Sequence, residues 1–234
     1  VSTPFSPAST TQARPVEAAR GFVADVFGWM FLGLAVTAGI AAYFSHSVDM
    51  QQWATDHSGT VLVIVIAQLA IVFGLIFLIN KISANVARIL FLLYAGTMGF
   101  TFAIILQAYS SASIVSTFIV TSGMFGGAAA YGWVTKRDLT IVGQIALFAL
   151  IGLILVMVVN IFLGSSTIEY VISAIGVIVF TALTAYDLQK IKQTAAQATG
   201  TGEAERKAAI FGALALYLDF INMFLFILRL TGGR

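Results

Sequence analysis

The chain contains no cysteine, which removes disulfides, thiolate metal sites and thiol nucleophiles from consideration. Charge is almost as scarce: Asp, Glu, Lys and Arg make up 9% of 234 residues against 59% hydrophobic residues, and the mean hydropathy is +0.98. A soluble globular domain does not have that balance, so the chain reads as a polytopic membrane protein. Its formal net charge of +2 is too small for a nucleic-acid surface, and no nucleic-acid partner is expected. Proline is confined to Pro4, Pro7 and Pro15, so the apolar runs beyond them carry no internal helix breaker.

Seven such runs are present: Val26–Ser45, Val61–Ile79, Val86–Ala108, Ile114–Val134, Ile141–Leu163, Ile168–Asp187 and Ala209–Leu230. Each has the length of about 20 residues that crosses the hydrocarbon layer as a helix. With no water available there, every span must satisfy its own backbone. An all-α integral membrane fold of seven transmembrane helices follows, as a single domain over 21–234. Residues 1–20, rich in Ser, Thr, Pro and Ala, are expected to form a disordered cytoplasmic tail. The first run exceeds the 7–15-residue core of a signal peptide, so it is expected to be a retained span. His46–Thr60 is expected to be an outer loop, and Gln193–Gly202 a flexible hinge.

Orientation follows from the basic residues. Arg14, Arg20, Lys81, Arg88, Lys136, Arg137, Lys190, Lys192, Arg206 and Lys207 all fall on one side of an odd number of spans. That side is read as cytoplasmic, which puts the N-terminus in the cytoplasm and the C-terminus outside. Lys136-Arg137-Asp138 is a topology anchor in this reading.

Of the ten acidic residues, six fall in loops or the tail and Asp25 and Glu169 stand at span ends, which leaves Asp187 and Asp219 as the inner candidates. A charge at the bilayer centre costs about 2.5–3.5 kcal/mol on insertion scales, so buried acids usually face a bundle interior or watery cavity and mark an ion or proton path. On the last helix Gly212, Ala215, Asp219 and Asn222 share one face, small and polar. On the sixth, Gly176, Phe180, Thr184 and Asp187 line up, with Tyr186 beside them. If that helix stops at Asp187, the two acids are separated by about 15 Å in depth. If it continues through Lys190 and Lys192 they meet, and the pair titrates as a coupled, proton-operated switch. The duller alternative for Asp219 is a packing role, hydrogen-bonded to a tyrosine such as Tyr94 or Tyr217.

Other polar residues have simpler readings. Gln68, Gln107 and Asn160 suit interhelical hydrogen bonding. His46, Asp49, Asp56 and His57 carry metal-capable side chains at spacings that fit no metal motif. Gly123, Gly126 and Gly127 suit close helix packing.

Three segments in order, Thr117–Leu139 (TFIVTSGMFGGAAAYGWVTKRDL), Thr184–Ile191 (TAYDLQKI) and Leu216–Leu228 (LYLDFINMFLFIL), resemble the transmembrane Bax inhibitor motif family in its bacterial branch. The resemblance implies six outer helices in two three-helix layers around a central seventh. It also implies a pH-sensitive calcium leak channel of the bacterial cytoplasmic membrane, with the paired aspartates matching Asp187 and Asp219 as gate, pH sensor and Ca²⁺ ligands. No resident cofactor is implied; Ca²⁺ and H⁺ are the transported or regulatory ions, and membrane lipids the surroundings. Gln68 stands where some relatives carry an acid, and Lys81 is the nearest match to a basic latch; Asn222 and Tyr186 complete the expected path-lining set. Bacterial relatives are also associated with a membrane-bound, ATP-dependent quality-control protease, so a non-conducting modulator of that protease is the alternative. An intramembrane aspartyl protease is a third reading. Its Gly-x-Gly-Asp motif is missing, since the chain reads Leu216-Tyr217-Leu218-Asp219, and no enzymatic activity is expected.

Overall fold

The computed structural model describes residues 13–47, 49–198 and 202–232, the side chains of 13–15, 46 and 47 excepted. Among the described residues the fold is all-helical: α1 (Ala13–Ser47), α2 (Met50–Asp56), α3 (Ser58–Leu78), α4 (Ala84–Leu106), α5 (Ser111–Val134), α6 (Thr140–Leu163), α7 (Ser166–Ala195) and α8 (Glu203–Thr231). The seven long helices coincide with the seven apolar runs, and all are long and apolar enough to cross a membrane. Serines mark several starts, as helix caps should: Ser83, Ser110 and Ser165 each accept a hydrogen bond from the backbone N–H three residues on.

Two expectations about segments outside the spans are corrected. The segment 46–60 is not a plain loop, because it contains α2. Asp49 accepts from the Gln52 N–H at 3.0 Å, and the Gln107 Oε1 accepts from Met50 N at 2.8 Å and Gln51 N at 3.1 Å. These acceptors satisfy the orphan donors of the first turn, and buried Met50 anchors the helix. Nor is the tail disordered to residue 20, since α1 already begins at Ala13. Pro15 sits in its first turn, where a missing N–H costs nothing, and a stripe through Phe22, Val26 and Met30 is buried. Residues 1–12 of the expected tail lie outside the described residues.

The last helix, α8, is buried along most of its length and packs against α1, α4, α5 and α7. By contrast, α3 rests on α4 and α2, and α6 on α7. Both outer helices turn apolar side chains outward; Phe162 on α6 is 85% exposed, as a lipid-facing residue is. Association without a hydrophobic drive depends on close packing at small residues. A Cβ on Gly33 would overlap the Phe91 ring, one on Gly143 the Tyr186 ring, one on Gly176 the Phe226 ring, and one on Gly132 the Ala185 carbonyl. The glycines expected to do this, Gly123, Gly126 and Gly127, instead face open space. The buried stripe of α5 runs through Thr117, Thr121, Phe125, Ala128 and Gly132, which turns those three outward.

Candidate functional site

The two carboxylates are brought together because α7 does not end at Asp187. It continues to Ala195, while α8 starts at Glu203, so the charged stretch after Asp187 is helix rather than loop. The pair α7–α8 runs antiparallel in a constant register: Gly176 meets Phe226, and Ile191 meets Gly212. Between these points Thr184 stands against Asp219, its side chain within hydrogen-bonding reach of the carboxyl. Asp187 lies one turn on, about 4.5 Å along the axis, and is the acidic neighbour of Asp219.

Asp219 is 3% exposed, and its Oδ2 has no hydrogen-bond partner. The Thr184 hydroxyl already donates to the Phe180 carbonyl at 2.8 Å, so its single proton is contested. A buried polar atom left without a partner costs about 1–3 kcal/mol, and such atoms call for an explanation. Neither tyrosine proposed as a packing partner accounts for it: the Tyr217 hydroxyl is paired with Thr37 at 2.6 Å, and Tyr94 packs its ring edge-on against Tyr217.

Asp187 is half-buried and opens onto a cavity of about 510 Å³ at the end of the molecule where the basic residues collect. The cavity floor reaches Gly212 and Ala215 on α8, the latter one turn short of Asp219. Its mouth carries Lys190, Glu203 and Lys207. Lys190 stands one turn further along the same helix, and its charge acts on Asp187.

The remaining predicted residues disperse. Lys81 is exposed in the α3–α4 turn and is not among the cavity-lining residues. Gln68 donates to the Thr101 hydroxyl at 2.8 Å, tying α3 to α4. Asn222 donates to its own helix at Leu218 O, 2.7 Å away. Tyr186 packs on Gly143 and the Ala128–Leu139–Ala185 cluster, on the side of α7 towards α5 and α6. Asn160 closes the α6–α7 turn through both backbone atoms of Ser165, a local bond rather than an interhelical one. On the opposite end Asp49 is spent as the α2 cap, and His57 stacks on Trp53 at 4.7 Å.

Three site features went unread in the sequence. Lys190 was assigned to topology alone, although its spacing from Asp187 puts both on one helical face. Glu203 accepts from Ala84 N at 3.2 Å, a contact between residues far apart in the chain that no local pattern announces. Gln189 clamps the α5–α6 turn, accepting from Leu139 N and donating to Arg137 O, each at 2.8 Å. As a cation site the dyad is lean: among the described residues no group of three or more His, Asp or Glu could hold a metal ion. A hard cation takes six to eight oxygens, more than the two carboxylates offer.

A family model described as "Inhibitor of apoptosis-promoting Bax1" matches residues 19–234. The chain is 43% identical over 229 residues to the inner membrane protein YbhL of Escherichia coli K12, covering 97% of this chain and 98% of that protein. It is 43% identical over 224 residues to an uncharacterized protein of Deinococcus radiodurans (96% and 95% covered). It is 38% identical over 218 residues to the uncharacterized protein RP147 of Rickettsia prowazekii (93% and 92% covered).

Proposed function

The chain belongs to the family described as inhibitor of apoptosis-promoting Bax1, and on that premise we propose that it is a pH-sensitive cation leak protein, with Ca²⁺ and H⁺ as its ions and Asp187 with Asp219 as its gate. The observation that carries the reading is the unpartnered Oδ2 of Asp219, in a carboxyl whose acidic neighbour Asp187 faces a cavity open at the basic end. A cation entering there reaches Asp187 first. It competes with Lys190 for that carboxylate and then meets Asp219 one turn deeper. Protonation removes the charge that holds either cation, so pH sets the state of the gate. The basic residues at the cavity end support a cytoplasmic mouth, hence an N-terminus in the cytoplasm and a C-terminus outside. The relative called an inner membrane protein supports the same membrane here.

The test is Ca²⁺ flux into liposomes holding only this protein, across the neutral pH range, with Asp187→Asn and Asp219→Asn alongside. A pH-dependent leak that both substitutions abolish supports the gate. Silence from the wild type overturns conduction and leaves a role exerted on a protein partner.

A further inference from the structure

Among the described residues, the cavity at the basic end has one wall that belongs to a sparsely packed helix. Its side formed by Ile76 and Ile79 belongs to the last turn and the C-cap of α3, and α3 packs on α4 and α2 alone among the well-packed helix pairs. Facing these isoleucines are Phe22 of α1 and Phe211 of α8. The side of the cavity lined by Ile76, Ile79, Phe22 and Phe211 gives water few partners, and leaving that side empty forfeits dispersion contacts. At membrane depth the material at hand to fill it is an acyl chain.

The mouth is polar and carries both signs. Lys190 reaches from α7, its ammonium 6.0 Å from the Phe211 ring, and Lys207 reaches from α8. The Lys207 ammonium lies 4.0 Å from Glu203, the outer limit of an ion pair, and an ammonium has three donors to place. Glu203, with its side chain 58% exposed, accepts one N–H from Ala84 and keeps acceptor capacity to spare. Two ammonium groups and two carboxylates line the cavity, so a ligand of either net charge meets as much repulsion as attraction. A headgroup that carries both signs does not.

We propose that this cavity holds one zwitterionic aminophospholipid, its phosphate between Lys190 and Lys207, its primary ammonium on Glu203 and an acyl chain along Ile76, Ile79 and Phe211. Basic side chains between transmembrane helices are a known means of holding lipid phosphate, and Lys190 and Lys207 supply them here, with Glu203 adding the acceptor that a purely basic pocket lacks. The primary amine matters because a carboxylate needs N–H donors, which a trimethylated headgroup lacks. The cavity is also the cation entry of the ion reading, and a lipid along its α3 side narrows that entry; the test counts lipid and not flux, so the two readings fail separately.

The experiment is native mass spectrometry of the protein released from bilayers of equal parts phosphatidylethanolamine, phosphatidylglycerol and phosphatidylcholine. One phosphatidylethanolamine per chain is expected to be retained. Glu203→Gln should lose the preference over phosphatidylcholine, and the Lys190→Gln/Lys207→Gln double variant should lose retention altogether. Ile76→Trp, and separately Ile79→Trp, should expel the lipid by filling the gap while the charges stay. Soluble phosphoethanolamine should not displace it. Equal retention of all three lipids, unchanged retention in the tryptophan variants, or displacement by the soluble headgroup would each overturn the proposal.

Discussion

The phenol of Tyr217 lies 2.6 Å from the Thr37 hydroxyl, and Thr37 donates to the Ala95 carbonyl at 2.9 Å. With the threonine proton spent on Ala95, Tyr217 is the donor in the shorter bond. The chain Tyr217–Thr37–Ala95 therefore ties α8, α1 and α4 together within a turn of Asp219 without engaging the carboxylate. Tyr217→Phe should cost about 0.5–1.5 kcal/mol, the net worth of one hydrogen bond, and leave the pH response of any flux unchanged. Thr37→Val leaves the buried Tyr217 hydroxyl without its partner, while the Ala95 carbonyl keeps the bond of its own helix, and should cost more, about 1–3 kcal/mol. Thermal unfolding in detergent measures both.

Lys190, rather than Lys81, is the basic residue that faces Asp187. Lys190→Gln is therefore expected to change the pH midpoint of Ca²⁺ flux, and Lys81→Gln to leave it where it is in the wild type. A shift with Lys81→Gln alone would move the latch to the α3–α4 turn.

The glycine contacts separate by what they touch. At Gly132 an added methyl meets the rigid Ala185 backbone, and at Gly176 it meets the Phe226 ring. Overpacking costs about 1–3 kcal/mol, and Gly132→Ala should stand at the upper end because backbone yields less than a side chain. Gly126→Ala meets nothing within 4 Å and, as a better helix former, should stabilise slightly. The three unfolding midpoints, ranked, check the order.

What the sequence disclosed and what it hid divide along a physical line. The seven spans and the two inner acids were legible because hydrocarbon punishes a wrong residue strongly, so length and charge alone locate them. The end of α7 was hidden because Gln189, Lys190 and Lys192 look like loop. The two lysines carry their charges on long stems that reach out of a continuing helix, Lys192 donating back to the Trp133 carbonyl at the end of α5, while buried Gln189 bonds the α5–α6 turn. Helix α2 was hidden because its first turn is satisfied by Gln107, distant in sequence. Which glycines pack was hidden for the same reason: the answer depends on which face of α5 the neighbouring helices occupy.

Asp138 lies just ahead of α6, fully exposed, and two hydrogen bonds from Thr140, from its hydroxyl and its backbone N–H, hold its carboxyl below the usual carboxylate range. A depressed carboxylate contributes its stabilisation above its ordinary pKa and loses it as pH falls through the lowered value. The α6 start should thus loosen only in acid. Thr140→Val removes the hydroxyl bond and should move the Asp138 titration up towards the ordinary value, as followed by carboxyl carbon NMR.

Gln189 holds the α5–α6 turn from both sides, through Leu139 N and Arg137 O, and that turn carries Lys136 and Arg137, which trypsin cuts. A clamped turn resists a protease because cleavage needs local opening. Gln189→Ala leaves the Leu139 N–H, on a buried residue, without its acceptor, at a cost of about 1–3 kcal/mol, and should raise cleavage at Lys136 and Arg137 well above the wild-type rate. The same cut reports orientation. If the basic end is cytoplasmic, inverted vesicles expose the turn and right-side-out vesicles protect it, so cleavage of the Gln189→Ala protein should appear in the first and not the second. Cleavage in right-side-out vesicles alone would reverse the assigned topology and put the mouth of the Asp187 cavity on the outer face.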